Sequence, residues 1–235
     1  MDTIYYLVLV PMIYLAFFVF SVGTIIRLIN IWRKPKFPTT LQIYPEKKPS
    51  WLWTLFDTFL LNSARRHNPV LWFFLMVFHF CFLLLIIGHL ELIKDFRILQ
   101  IIEHEIFLGK GFIGLILSIS LIFFLFRRFV SPTKDLSVPE DYYLLILLFL
   151  AVIFGSEMDW ARTLYGYEEM GVEDYRGYLM SLFLLKPDIS FVDAPGHSFM
   201  LVLHVFFANL FLMFFPFSKI IHSFLSLPLN KLRRG

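Results

Sequence analysis

The chain has 235 residues, of which 58% are hydrophobic and only 17% charged, with 30 phenylalanines; this excludes an ordinary soluble domain, where about a quarter of residues are charged. The net charge of +3 is spread over the loops, so no nucleic-acid footprint is indicated. A single cysteine, Cys81, rules out an internal disulfide, a thiol-built zinc or iron–sulfur site and the two-thiol attachment of a c-type haem.

A bilayer span needs about 20 mostly apolar residues, and five stretches are read as spans: 4–26, 70–93, 112–126, 142–160 and 198–217. The N-terminal MDTIYYLVLV has no positive n-region and no small-residue cleavage site follows it, so the first span is expected to stay in the mature chain. After it comes a basic stretch and then WLWTLFDTFLLNSARRHNP, where Leu52, Leu55, Phe56, Phe59 and Leu60 recur at helical spacing. Trp51 and Trp53 suit the headgroup level, which predicts an interfacial helix. Pro69 fits the start of the second span, where a missing N–H costs nothing. RRFVSPTKDLSVPED is read as a short turn between the third and fourth spans. The segment 157–196 is long, acidic and partly amphipathic (YRGYLMSLFLL), and is expected to lie as a lid on the outer surface. Pro216 should kink or end the last span.

Orientation follows from the loop cations. The first and third loops and the C-terminal tail carry 15 of the 21 Lys and Arg residues, and 13 of the 18 acidic residues fall on the other side. The expected fold is therefore all-α, a single five-helix membrane domain over 1–235, with the N-terminus outside and the C-terminus cytoplasmic.

The histidines carry the chemistry. Of His67, His79, His89, His104, His197, His204 and His222, three (His79, His89 and His204) lie well within spans, and His222 follows FPFSKII. No Asp, Glu, Lys or Arg occupies the middle of a span, so an ionic partner, the usual company of buried charge, is missing. Taken singly, each histidine is accounted for as a neutral side chain bonded to a backbone carbonyl or to Asn209. Two on each of two helices admit a common cause: axial ligation of haem iron by neutral imidazole. At 1.5 Å per residue, His79 and His89 are about 15 Å apart along their helix, and His204 and His222 about 27 Å. In antiparallel spans His79 and His222 fall toward the cytoplasmic half and His89 and His204 toward the outer half. Ten residues leave an angular offset of about 80°, and eighteen return to one face. This geometry permits two haems. Gly88 beside His89 removes bulk where a macrocycle or quinone ring approaches; ordinary helix packing explains it equally. His67 and His197 are read as boundary residues, and Cys81 as a small apolar side chain.

The blocks FHFCFLLLIIGH in the second span, RRFVSP after the third and LHVFFANLFLMFFPFSKIIHSFLSLP at the end resemble the nitrate reductase gamma-subunit family of dihaem b-type cytochromes. The last block is closest to its DsrM branch, which serves sulfite-reduction-associated membrane complexes. The resemblance runs from about Pro69 to Pro228. It implies His79 with His222 as ligands of a cytoplasmic-side haem b, and His89 with His204 as ligands of an outer-side haem b. It further implies exchange of electrons with menaquinone or its quinol, in the cytoplasmic membrane of a prokaryote. The implied partner is a cytoplasmic iron–sulfur subunit, DsrK- or heterodisulfide-reductase-like, or similar to the nitrate reductase beta chain. Nitrate reductase gamma subunits carry a quinol-associated lysine shortly before the third span. Here that neighbourhood reads LQIIEHEIFLGKG, which makes Glu103 and His104 the candidates for quinol proton transfer beside the plainer reading of a solvated loop.

No nucleophile, flavin or nucleotide fingerprint accompanies these residues, so the chain is expected to pass electrons to another subunit and not to be catalytic alone. The basic residues Arg33, Lys34, Lys36, Lys47, Lys48, Arg65, Arg66, Lys231, Arg233 and Arg234 would form the docking face, although the topology bias alone accounts for them. The rival from another class, a histidine-based proton or ion transporter, is disfavoured because such pathways usually also use mid-span carboxylates.

Overall fold

The computed structural model describes residues 3–33, 48–94, 111–166, 170–193 and 197–234, and among them all regular structure is helical. In chain order the helices are α1 (Thr3–Leu9), α2 (Pro11–Trp32), α3 (Ser50–Phe59), α4 (Asn62–His67), α5 (Pro69–Ile93), α6 (Phe112–Arg127), α7 (Pro139–Tyr165), α8 (Val172–Phe183), α9 (His197–Phe214) and α10 (His222–Arg234). Among the described residues, four segments are long and apolar enough to cross a membrane: Thr3–Trp32, Pro69–Ile93, Pro139–Met158 and Ser198–Phe217. Phe112–Arg127 is apolar but shorter. Helix α5 is largely uncovered by the rest of the chain. Its buried residues are Cys81, Gly88 and Glu91, while Phe73, Phe80, Leu83 and Ile86 are exposed.

Local chemistry sets the helix ends. Asn68 caps α5, its side-chain oxygen accepting from the Leu71 N–H at 2.9 Å, and Pro69 occupies the first helical position. At the start of α7 the Asp141 carboxylate accepts from the Val138 N–H at 3.1 Å and pairs with Arg128 at 3.1 Å. The Tyr142 hydroxyl donates to the Arg128 carbonyl at 2.7 Å, so the RRFVSP turn is tied to the helix that follows it.

The chain divides into two compact units, Met1–Phe17 with Val77–Leu212 and Phe18–Met76 with Met213–Gly235. In the first, a core forms from Val8, Leu9, Val10, Met170, Tyr178, Leu182, Val192, Leu201 and Val202. Of the segment 157–196 expected as a lid, the first residues continue α7 to Tyr165 and the amphipathic part forms α8, whose Tyr178 and Leu182 are part of that core. Pro11 separates α1 from α2 because it lacks the N–H that would continue the ladder. The carbonyls beside the break are taken by side chains. The Tyr178 hydroxyl donates to the Leu9 carbonyl, and Asn209 Nδ2 to the Val8 carbonyl at 3.4 Å. The Tyr14 hydroxyl in turn donates to the Leu182 carbonyl at 2.8 Å. Burial first, and then Tyr14, push the Tyr178 phenol well above its ordinary range, so it stays a donor at any physiological pH. Helices α6 and α7 pack closely in the same unit, and a Cβ on Gly114 would collide with Ser156 Oγ.

In the second unit, one face of α2 holds the turn that ends the last span. Phe20 meets Phe215 edge-on at 5.2 Å, and a Cβ on Gly23 would lie 2.8 Å from Pro216 Cγ. Arg27 donates to the carbonyls of Pro216 and Ser218. The break expected at Pro216 is present: α9 ends at Phe214, 3₁₀ turns cover Phe215–Phe217 and Lys219–Ile221, and α10 begins at His222. His204 and His222 therefore lie on separate helices, and the spacing reckoned along one continuous rod does not apply to them. The stretch expected as one interfacial helix forms two, α3 and α4, and Asn230 Nδ2 of α10 donates to Thr58 Oγ1 of α3 at 3.0 Å.

Replacing Tyr178 with Phe leaves the Leu9 carbonyl without its side-chain donor and should cost about 1–2 kcal/mol. The expected result is a lower melting temperature in detergent with unchanged helix content; an unchanged melting temperature would show that the Pro11 break needs no such support.

Candidate functional site

The first unit brings two of the four candidate histidines together. His89 lies near the C-terminal end of α5 and His204 in the middle of α9, and their ring centres are 6.0 Å apart with 25° between the planes. Each ring is anchored through Nδ1. His89 donates to the Leu85 carbonyl one turn earlier at 2.7 Å, and His204 to the Ala151 carbonyl of α7 at 2.7 Å. A carbonyl oxygen only accepts, so the proton sits on Nδ1 in both rings and Nε2 carries the lone pair. Two such rings cannot hydrogen-bond each other, because both offer acceptors.

Two neutral imidazoles whose Nε2 lone pairs are free are the donors that haem iron takes. Nδ1–H bound to a backbone carbonyl is also the usual second contact of a ligating histidine, since it fixes both tautomer and ring orientation. The donor set fits a bis-imidazole haem.

The site depends on a residue that sequence reasoning passed over. Gly155 of α7 faces His204, and a Cβ there would lie 2.9 Å from Nδ1 and 3.0 Å from Cε1. With Ala151 one turn earlier it makes a small-x-x-x-small stripe on which the imidazole rests. The signal was available in FLAVIFGSEM, where Ala151 and Gly155 fall four apart among large residues. Gly88 is buried, whereas His89 beside it is exposed. Glu91, near the end of α5, is also buried, 6% exposed. Its backbone carbonyl accepts from Arg176 of α8 at 3.1 Å. Asn209, considered as a histidine partner, instead serves the Val8 carbonyl.

His79 is exposed on α5 in the first unit, its ring edge-on to Phe78 at 5.2 Å. Phe78 continues into Phe82 and Phe124. His222 belongs to the second unit. It opens α10, exposed, with Nδ1 donating to the Lys219 carbonyl at 3.1 Å. Cys81 is buried, as a small apolar side chain should be. His67 is exposed and bonded through Nδ1 to the Ser63 carbonyl at 2.8 Å. Glu103 and His104 lie outside the described residues.

Residues 66–235 match the family described as nitrate reductase gamma subunit, and the chain belongs to that family. Two curated relatives share the name Hdr-like menaquinol oxidoreductase cytochrome b-like subunit. The one from Archaeoglobus fulgidus is 26% identical over 92% of this chain and 75% of its own. The one from Archaeoglobus profundus is 25% identical over 89% and 73%. Family membership and the Hdr-type branch agree with the resemblance carried by the histidine blocks.

Adding a methyl group at Gly155 forces the His204 ring to move. Gly155→Ala should cost about 1–3 kcal/mol, read as a lower melting temperature, and Gly155→Ser should cost no less. Wild-type stability in both variants would show that His204 does not rest against this residue.

Proposed function

We propose that this chain is the dihaem b membrane subunit of a respiratory oxidoreductase, passing electrons between menaquinol and a cytoplasmic iron–sulfur subunit. The His89–His204 pair carries the proposal: two rings of matching tautomer, 6.0 Å apart, each held by a carbonyl. A haem b bound between them would supply reversible one-electron transfer. The residues hold and orient it. Leu85 and Ala151 present carbonyls that lock the imidazoles, and Gly155 leaves room for one of them. His79 and His222 are assigned to a second haem by the same ligand chemistry, and Gly88 to close packing beside the first. Menaquinol yields two electrons and two protons on oxidation, so an acceptor for each proton is needed on the side where it binds. Glu103 and His104 are assigned that role.

The assembly this requires has five spans, the N-terminus outside and the C-terminus in the cytoplasm of a prokaryote. Phe112–Arg127, with 16 residues, is about 24 Å long, and crosses the hydrocarbon core with local thinning. The partner would be a DsrK- or heterodisulfide-reductase-like iron–sulfur protein. The relatives' names, which speak of a menaquinol oxidoreductase, support that choice over a nitrate reductase beta-like chain.

Oxidised and dithionite-reduced spectra of the purified protein should show two b-type components. His89→Ala and His204→Ala should each remove the same one, and His79→Ala and His222→Ala the other. Protein made with adequate haem but lacking b-type absorption would overturn the function, and loss of different components within a pair would overturn the pairing.

A further inference from the structure

In the second unit α3, α4 and α10 enclose an open cavity of about 700 Å³, with His222, Arg66, Arg233, His67, Asp57 and Asn230 among its lining residues. That volume lies within the range of cofactor cavities, about 300–1,000 Å³. We propose that this cavity receives the propionate edge of the haem served by His222, with Arg66 and Arg233 as the anion partners. The inference rests on the dihaem reading and assigns that haem a set of protein contacts.

The argument is one of charge and placement. Haem b carries two carboxylates, and an ionised carboxylate cannot be left in hydrocarbon without a partner. Guanidinium is the side chain whose planar fork matches a carboxylate in two hydrogen bonds. Two arginines line this cavity against a single carboxylate, Asp57, which already accepts from Asn62 at 3.2 Å. The cavity wall is therefore cationic before any histidine charge is counted. Arg233 follows His222 by eleven residues on α10, close to three full turns, so the two share a face. Ser226, Leu229 and Asn230 fill that face between them and line the same space. Arg233 is held there by a bond from Nη1 to Asn230 Oδ1 at 3.3 Å, and Asn230 is in turn bonded to Thr58 of α3. The His222 ring is steadied by Lys219. A ligand nitrogen and two carboxylate partners thus open onto one space.

The test is a potentiometric titration of the purified full-length protein, followed by optical spectroscopy. If the wild type shows no b-type component, the dihaem reading fails before any variant is made. Given two components in the wild type, Arg66→Gln/Arg233→Gln should lower the potential of the component that His222→Ala abolishes, or lose that component alone. The His204-dependent component should keep its wild-type potential, which also reports that the protein is folded. Both components unchanged in amount and potential would overturn the proposal and leave the cavity to another anion, such as a lipid headgroup. Should the double variant lose both components, Arg66→Lys/Arg233→Lys decides. Retention of both near their wild-type potentials supports a charge partner, and any other result overturns it.

Discussion

A polar atom inside an apolar span has no water to turn to, so the protein itself must supply its partner. The arrangement follows from that constraint. Beside the Pro11 break, the Leu9 and Val8 carbonyls are met by Tyr178 and Asn209. At the end of the last span, the Pro216 and Ser218 carbonyls are met by Arg27. At His89 and His204 the direction reverses: the side chains are the donors and the helices lend carbonyls. The last case has a chemical consequence, because a histidine that spends its only proton on a carbonyl turns its remaining nitrogen into a Lewis base.

Small residues make these bonds possible. His204 can reach the Ala151 carbonyl because Gly155 leaves the adjoining helix surface without a side chain. The same device recurs where Gly114 meets Ser156 and where Gly23 meets Pro216. In a membrane the helices gain little from hiding apolar surface from lipid, so close approach through small residues and a few polar bonds does much of the packing. Large side chains of α5, Phe73, Phe80, Leu83 and Ile86 among them, accordingly face outward.

The electron-transfer proposal joins two observations, the family match over residues 66–235 and the 6.0 Å spacing of His89 and His204. A proton-relay reading has less support, because Glu91, the buried carboxylate of α5, lies near the helix end and not at mid-span.

Much of this was legible in the order of residues alone. Apolar run length marks the membrane helices, because bilayer thickness sets the length required. Pro69 marks the start of α5, and Pro216 lies in the 3₁₀ turn that follows α9, because an absent N–H acts locally whatever surrounds it. His79, His89 and His204 stood out because the cost of a histidine in an apolar run does not depend on the fold. Apart from the His89–His204 pairing, which the family resemblance implied and whose rings lie 6.0 Å apart, contact between segments distant in sequence was not legible. Spacing along one rod treated His204 and His222 as parts of a single helix, yet the Phe215–Ile221 turns divide them. The amphipathic pattern of α8 foretold a covered face but not that Tyr178 would close the Pro11 break. Nor did the sequence reveal that Gly155 and the Ala151 carbonyl form the bed of His204. Those are properties of surfaces brought together across helices, and only the tertiary packing decides which surfaces meet.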